Sequence, residues 1–231
     1  MTIKALILDF DGLLMDTETT LLESWRWEWR RHGLRLDPTG FFADHGGDAN
    51  GARYSALEAA VGPAYDRASS HALRMAYRAE LNAALTPAPG ILGWLDRAAE
   101  LGLRLAVASS SPSTHVGALL DQAGLRARFE VLATGEEVRA HKPDPAVYLL
   151  ALERLGLPVD QAVAFEDTAH GAAAAHAAGL RCVAVPNPHA DPARFTTADL
   201  VVRSAADLPL DALLARLGPG RAVCGERASA T

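Results

Sequence analysis

The chain has 231 residues, of which 49% are hydrophobic and 22% are charged. This length and composition predict one full-sized globular domain, or a domain that carries a large insert. The formal net charge of −6 argues against a nucleic-acid partner, because a nucleic-acid-binding surface is basic. With two cysteines the chain does not have a disulfide scaffold, and we expect a cytoplasmic protein.

The hydrophobic residues do not form a secretory or membrane-spanning segment. Asp9 and Asp11 interrupt the first apolar run, which argues against a signal peptide. Elsewhere no stretch reaches the roughly 18 uncharged apolar residues that a transmembrane helix needs. We therefore expect no membrane partner, and we expect a monomer.

The first predicted element is a buried strand that ends in two carboxylates. Residues 3–8 are mostly aliphatic and show no polar alternation, as in a strand that is buried on both faces. The strand runs into Asp9-Phe10-Asp11-Gly12. At the carboxyl edge of an open α/β sheet, this sequence would place two acids in the ligand crevice. Alternatively, both aspartates only shape a turn, which Asp and Gly favour.

A long helical stretch follows. The spacing predicts a helix over 17–32, with Asp16 or Thr17 as its N-cap. One face of this helix is apolar and contains residues at intervals of four: Leu21, Trp25 and Trp29. We expect these residues to pack in a core. Trp27 points elsewhere, and it either packs or lines a substrate pocket.

Two more helices are predicted over 52–62 and 64–84, after a glycine-rich loop at 41–51. The proline- and glycine-rich sequence at 86–90 then breaks the chain. We predict that residues 17–85 form a helical domain inserted into an α/β core, which comprises 1–16 and 86–217. Residues 218–231 are small and polar, which predicts a disordered tail.

From Gly90 onward, helices alternate with strands. Helices are predicted over 91–101, 113–123, 145–155, 169–178 and 207–217, and strands over 103–108, 129–134, 162–165, 182–186 and 200–202. Such alternation predicts an α/β fold with a Rossmann-like parallel sheet that is covered by helices on both faces.

Reactive side chains follow three of the predicted strands. They are Asp9 and Asp11, Ser109 and Ser110, and Glu166 and Asp167, while Lys142 begins a nearby helix. In a parallel sheet these strand ends lie on one edge, where the carboxylates would repel one another without a cation. Oxygen ligands without a His or Cys cluster favour Mg²⁺ over zinc. Each residue also has a purely structural interpretation, in which Ser113 or Thr114 caps a helix and Lys142 is a surface charge.

The order of these motifs resembles that of the haloacid dehalogenase superfamily. The matching motifs are Asp-x-Asp-Gly, a strand followed by serine, Lys-Pro-x-Pro, and Glu-Asp before a helix of small residues, and they span residues 4–187. The resemblance is greatest to the subgroup of phosphoglycolate phosphatases, β-phosphoglucomutase and sugar-phosphate phosphatases. It implies a Rossmann-like core in which residues 17–85 form an all-helical cap domain.

The resemblance implies a role for each motif residue. Asp9 would be the nucleophile that forms an aspartyl-phosphate, and Asp11 would be the general acid and then the general base. Ser109, Ser110 and Lys142 would bind the phosphate. Because Asp11 must be protonated when the alcohol leaves, we expect its pKa to be raised in the closed site.

The resemblance also implies an Mg²⁺ site. Its ligands would be the Asp9 carboxylate, the Asp11 main-chain carbonyl and Asp167, with Glu166 as an accessory ligand of the metal or its water. We therefore predict an Mg²⁺-dependent phosphatase that hydrolyses a small phosphate monoester of a sugar or related metabolite.

Two other functions stay open at this point. A mutase of the β-phosphoglucomutase type would have a cap histidine near Leu21 and a lysine at Pro112, and both departures favour hydrolysis. A phosphate-binding module without catalytic activity is the other alternative, although every expected catalytic residue type is present. Substrate specificity would depend on the predicted cap. Its candidate contacts, each of which also fits a solvated loop residue, are His45, Asp48, Asn50 and Arg53.

Overall fold

A computed structural model describes residues 2–42 and 50–218. The strands are β1 (Ala5–Leu8), β2 (Arg104–Ala108), β3 (Val131–Ala133), β4 (Ala162–Glu166), β5 (Arg181–Ala184) and β6 (Leu200–Val201). They form one sheet in the order β3-β2-β1-β4-β5-β6, and every neighbouring pair is parallel. The predicted Rossmann-like parallel sheet is confirmed.

The described residues also form eight α-helices. They are α1 (Thr17–Arg31), α2 (Asn50–Val61), α3 (Arg67–Ala83), α4 (Ile91–Glu100), α5 (Ser113–Gln122), α6 (Ala146–Leu155), α7 (Ala169–Ala177) and α8 (Leu210–Leu217). The alternation of strands and helices after residue 90 follows the prediction, with ends that shift by one to three residues.

Both faces of the sheet are apolar because successive residues of a strand point to opposite sides. In β1, Leu6 and Leu8 pack in a core with side chains of α4, α5 and α8. Ala5 and Ile7 pack in a second core with side chains of α6 and α7. All four residues are buried, which confirms that helices cover the sheet on both sides.

Helices α1, α2 and α3 form what we call the helical unit, and its described residues contain no strand. Its small core is built from buried Trp25, Tyr54 and Leu57. Leu21 and Trp29 pack against this core, so the predicted apolar face of α1 is confirmed. The division of the chain into a core domain and a cap domain stays a prediction.

Trp27 lies on another side of α1. Its indole stacks on the ring of Tyr77, with centroids 4.6 Å apart, and the Arg31 guanidinium lies 5.1 Å above it. Trp27 therefore packs within the helical unit, which is one of the two roles that the sequence left open for it.

Capping interactions explain where α1 and α3 begin. The Asp16 carboxylate accepts a hydrogen bond from the Thr19 N–H at 3.0 Å, so Asp16 is the N-cap of α1. Helix α3 begins at Arg67, later than predicted, because the Asp66 carboxylate accepts hydrogen bonds from the backbone N–H groups of residues 68 and 69.

Proline explains one wrong N-cap and one wrong helix start, although α5 begins at Ser113 as predicted. Pro112 is the N-cap of α5, and neither Ser113 nor Thr114 caps it. The Ser113 N–H is instead bound by the Glu136 carboxylate at 2.9 Å. Helix α8 begins at Leu210, later than predicted, because Pro209 disfavours a helical backbone in the residue before it.

Part of the sequence lies outside the described residues. It includes most of the glycine-rich loop, with His45 and Asp48, and the predicted tail beyond residue 218. Within the described ranges, the protein contains no helix with both the length and the apolar character that a membrane span requires.

Replacing Trp25 by alanine should lower the free energy of unfolding by about 3–5 kcal/mol, because it empties a fully buried site. Trp27→Ala is the matched control. We expect it to lower the free energy of unfolding by roughly 1–2 kcal/mol, because it removes one stacked ring pair and a half-buried side chain. Urea unfolding followed by circular dichroism compares the two variants. Equal losses would show that the helical unit is not built around Trp25.

Candidate active site

The site lies at the carboxyl ends of three neighbouring strands. Strand β1 sits between β2 and β4, at the point where the strand order reverses, which is where open α/β sheets bind their ligands. Asp9 follows β1 and donates its backbone N–H to the Phe165 carbonyl at 2.9 Å. Ser109 follows β2, and Asp167 follows β4. All three residues are buried, as the sequence predicted for one shared edge of the sheet.

Lys142 lies at the centre of the acidic group. Its Nζ donates hydrogen bonds to Asp9 Oδ1, to Glu166 Oε1 at 2.6 Å and to the Ala108 carbonyl at 2.8 Å. Burial lowers the pKa of Lys142, but the charges of Asp9 and Glu166 outweigh burial and hold the pKa above its ordinary value. Lys142 is therefore a buried cation, and its interpretation as a surface charge is wrong.

Glu166 is completely buried, and both of its oxygens accept hydrogen bonds from the protein. Oε1 accepts from Lys142 and from the Tyr148 hydroxyl at 2.5 Å, and Oε2 accepts from the Asp167 N–H at 3.2 Å. A Cβ at Gly171 would lie 2.0 Å from this carboxylate, so the space beside it requires glycine. These contacts fit a group that orients Lys142, and a metal-ligand role for Glu166 stays a prediction.

Asp167 has one satisfied and one unsatisfied oxygen. Oδ2 accepts a hydrogen bond from the Asn187 side-chain amide at 2.8 Å, whereas buried Oδ1 has no hydrogen-bond partner. Gly12 lies against this carboxylate with φ at +80°, and a Cβ there would lie 1.9 Å from Oδ2. The turn after β1 therefore needs glycine for two reasons, its left-handed backbone and the close approach of Asp167.

The carboxylates of Asp9, Glu166 and Asp167 fit a divalent cation. One oxygen from each lies within 4.8 Å of the others, and these donors suit a hard ion such as Mg²⁺. Burial raises the pKa of Asp9 well above its usual range, against the effect of Lys142, and Glu166 and Asp11 add to the rise. Burial likewise raises the pKa of Asp167. The unpartnered Oδ1 of Asp167 is the observation that favours a cation here.

Asp11 is held by donors on both of its oxygens. Oδ1 accepts from the Thr17 hydroxyl at 2.8 Å and lies 2.9 Å from His115 Nε2. Oδ2 accepts from the Ser111 hydroxyl at 2.7 Å and, at a long 3.4 Å, from Ser109. The side chain thus points toward α5, and a metal contact through the main-chain carbonyl of Asp11 stays a prediction.

The expected rise in the pKa of Asp11 is not found in this structure. Burial does raise the pKa, but the hydrogen bond and charge of His115, together with the Ser111 and Thr17 hydroxyls, outweigh it and lower the pKa below its ordinary value. The prediction considered only the burial of Asp11 in a closed site, because the sequence does not show which hydrogen-bond donors face its carboxylate.

The two serines after β2 differ in their surroundings. Ser109 is buried, and its Oγ accepts the Ser111 N–H at 3.0 Å. Ser110 is exposed, and no described hydrogen bond joins its side chain to the acidic group. Ser109 is thus near the carboxylates, whereas the predicted phosphate-binding role of Ser110 has no side-chain contact that supports it.

The helical unit contributes two charged side chains that the sequence analysis did not single out. Glu18 Oε2 and Arg78 Nε are buried and have no hydrogen-bond partner. Burial raises the pKa of Glu18 to about 7, and the charge of Asp11 adds to the rise. Burial lowers the pKa of Arg78, against the opposing effect of Asp11. Both side chains are therefore close enough to the site to interact with Asp11.

Two of the other predicted substrate contacts lie in α2, and two precede it in the sequence. Arg53 donates from Nη2 to the Phe41 carbonyl at 2.8 Å, and its guanidinium lies 3.9 Å above the Phe41 ring. Asn50 is the first residue of α2. His45 and Asp48 lie outside the described residues.

Several residues of the site were not predicted. They are Thr17, Ser111, His115, Tyr148 and Asn187, together with Glu18 and Arg78 of the helical unit. Asn187 closely follows β5, so it shares the sheet edge with the predicted residues and could have been found by the same argument. Ser111 belongs to a run of three serines. Tyr148 lies inside a helix, where nothing in the sequence distinguishes it from a core residue.

Comparisons with known proteins agree with this geometry. A Bacillus subtilis protein named as a phosphatase, YhcW, is 38% identical over 93% of this chain and 98% of its own length. The fructose-1-phosphate phosphatase YqaB of Escherichia coli is 32% identical over 78% of this chain and 95% of its own length. Crystal structures of CbbY from Rhodobacter sphaeroides contain phosphate in one case and xylulose-(1,5)bisphosphate in another. CbbY is 29% identical, over 90% of this chain and 96% of its own, with a TM-score of 0.73.

A family model also matches. The haloacid dehalogenase-like hydrolase model covers residues 3–179, which include β1, the helical unit, Lys142 and the Glu166–Asp167 pair. The motifs that suggested the family in the sequence are thus the residues that the fold gathers at one edge of the sheet. The chain belongs to the haloacid dehalogenase-like hydrolases.

Proposed function

We propose that this hydrolase is an Mg²⁺-dependent phosphatase that acts on a small sugar or polyol phosphate through an aspartyl-phosphate at Asp9. The observation that carries the proposal is the placement of Asp9, which directly follows β1. One of its oxygens is bound by buried Lys142, and one lies within 4.8 Å of a carboxylate oxygen of Asp167. Relatives named as phosphatases, one of them for fructose 1-phosphate, support the reaction type and the substrate class.

Two displacements at phosphorus make up the reaction. In the first, an Asp9 oxygen forms a bond to phosphorus while the bond to the leaving oxygen breaks, and Asp11 gives that oxygen its proton. In the second, Asp11 takes a proton from water, the water oxygen attacks phosphorus, and the bond to Asp9 breaks. Inorganic phosphate and the alcohol are the products, and both aspartates return to their starting states.

Lys142 and the proposed cation would stabilise the charge on the phosphoryl oxygens. Asp9 and Asp167 would hold Mg²⁺, and Glu166 would fix the lysine. When bound, the ion supplies electrostatic stabilisation of the phosphoryl group. Ser109 lies at the end of the neighbouring strand, where its hydroxyl would donate to a phosphate oxygen.

Leu21 supports hydrolysis rather than a mutase reaction. A mutase would need a titratable group at this position, whereas Leu21 packs against the Trp25 core of the helical unit. Position 21 therefore lacks the group that would activate a sugar hydroxyl in such a mutase, and this departure favours water as the acceptor.

We further propose that the helical unit acts as a cap that recognises the substrate. Two of its buried atoms, Glu18 Oε2 and Arg78 Nε, have no hydrogen-bond partner, and both side chains interact with Asp11. The guanidinium suits an anionic group of a ligand, and the carboxyl oxygen could accept a hydrogen bond from a ligand hydroxyl. A cap that closes over the site would exclude water from all but the productive position.

Asp9→Asn should reduce the release of inorganic phosphate from p-nitrophenyl phosphate by at least ~10³-fold, because the amide is a poor nucleophile. Asp121→Asn, at an exposed position of α5, is the matched control and should retain wild-type activity. An Asp9→Asn variant that stays active would refute the aspartyl-phosphate at Asp9. A wild-type protein that releases no phosphate from any member of a metabolite panel would instead support the binding-module alternative.

Millimolar Mg²⁺ should raise the melting temperature of the wild-type protein by a few degrees, because a ligand that binds only the folded state stabilises it. Asp167→Asn should abolish this shift, whereas Asp121→Asn should preserve it. Differential scanning calorimetry with and without a chelator measures the effect independently of activity. A wild-type protein that melts at the same temperature in Mg²⁺ and in chelator would contradict the metal site.

Arg78→Gln should raise KM for the best substrate of a metabolite-phosphate panel about 10- to 100-fold, which is the loss expected for a hydrogen bond to a charged group. We expect kcat to change much less, because Arg78 does not touch the reacting atoms. Arg30→Gln, at an exposed position of α1, serves as the control. An unchanged KM would remove Arg78 from the substrate site.

A further inference from the structure

The proposed reaction needs a general acid, and the structure shows an imidazole bound to it. His115 lies in the first turns of α5, and its Nε2 is 2.9 Å from Asp11 Oδ1. When Asp11 is ionised its oxygens can only accept, so Nε2 is then the donor of this hydrogen bond. The ring also contacts Phe10 edge-to-face, with centroids 5.9 Å apart and planes at 88°.

The donors to Asp11 come from separate parts of the chain. Thr17 begins α1, Ser111 belongs to the loop after β2, and His115 lies on α5. Together they bind both oxygens and so fix the direction and the plane of the carboxylate. The imidazole is three-quarters shielded from solvent, which strengthens its hydrogen bond relative to one in water.

His115 reaches the site through Asp11. Among the hydrogen bonds of the described residues, its ring contacts the Asp11 carboxylate and none of Asp9, Lys142 and Asp167. His115 would therefore affect catalysis by setting the direction of the Asp11 carboxylate, the proposed general acid.

We propose that His115 is a positioning residue that aims the Asp11 carboxylate for proton transfer to the leaving group. This inference rests on the proposed phosphatase function. Proton transfer requires a donor within hydrogen-bond reach of the leaving oxygen, and a displacement of about 1 Å can cost ~10²-fold in rate. In the first displacement the role matters only to leaving groups that need a proton, because the attack by Asp9 does not involve Asp11. The second displacement, in which Asp11 takes a proton from water, is the same for every substrate.

Phenyl phosphate and p-nitrophenyl phosphate have nearly the same shape but differ in whether the leaving group needs a proton. p-Nitrophenolate is a stable anion near neutral pH and departs without a proton. Phenolate is about as basic as the tyrosine side chain, with a pKa of about 10, and therefore benefits from an acid. In a single turnover, a variant in which Asp11 is misdirected should release phenol slowly and p-nitrophenol at nearly the wild-type rate.

The test compares His115→Ala, which removes the donor, with His115→Gln, which keeps an N–H donor on a side chain of similar reach. We expect His115→Ala to lower the single-turnover rate of phenol release from phenyl phosphate about 10- to 100-fold, and that of p-nitrophenol release from p-nitrophenyl phosphate less than about 3-fold, with KM unchanged for both. His115→Gln should recover much of the loss. His176→Gln, at an exposed position of α7, is the control.

Three outcomes would overturn the proposal. Equal losses on both substrates, accompanied by a lower melting temperature, would show that His115 is only structural. No change on either substrate would show that Thr17 and Ser111 suffice. A rise in KM with kcat preserved would assign His115 to substrate binding instead. These outcomes are distinct from failure of the proposed phosphatase function, which appears as a wild-type protein that releases no phosphate from either substrate.

Discussion

The buried hydrogen bonds of Lys142 with Asp9 and Glu166 are the interaction on which the site depends. A lone ammonium or carboxylate in this position would face a desolvation cost of several kcal/mol, so each group needs the others. The Tyr148 hydroxyl and the space left by Gly171 fix Glu166, and Glu166 in turn fixes the lysine. The consequence is a rigid cation held against the end of β1.

The strand order makes this arrangement possible. Because β1 is central and parallel to both neighbours, the chain can bring side chains that are more than 130 positions apart to one level of the sheet. Leu8 is paired with Val107 on one side and with Phe165 on the other. The residues that come next in these three strands therefore lie side by side. The helical unit, inserted after β1, then begins directly above the same edge.

Strand ends were readable from the sequence, and side-chain directions were not. Apolar runs that stop at Asp9, Ser109 and Glu166 predicted the sheet and the shared edge, because hydrophobic periodicity reports burial. The partner of Asp11 is a matter of rotamers and of the helix that packs beside it, so His115 could not be recognised. Glu18 and Arg78 were missed for a related reason, since charged residues on an amphipathic helix usually face solvent.

Asp9 and Asp11 are two residues apart, yet their environments shift their pKa values in opposite directions. Burial and neighbouring acids raise the pKa of Asp9, whereas His115, Ser111 and Thr17 lower that of Asp11. Catalysis as proposed needs the reverse, an ionised Asp9 and a protonated Asp11. A cation bound beside Asp9 and Asp167 would favour their ionised forms, and an anionic phosphoryl group near Asp11 would favour its neutral form. In the proposed mechanism, the two carboxylates of this turn would therefore acquire their separate roles when substrate and cation bind together.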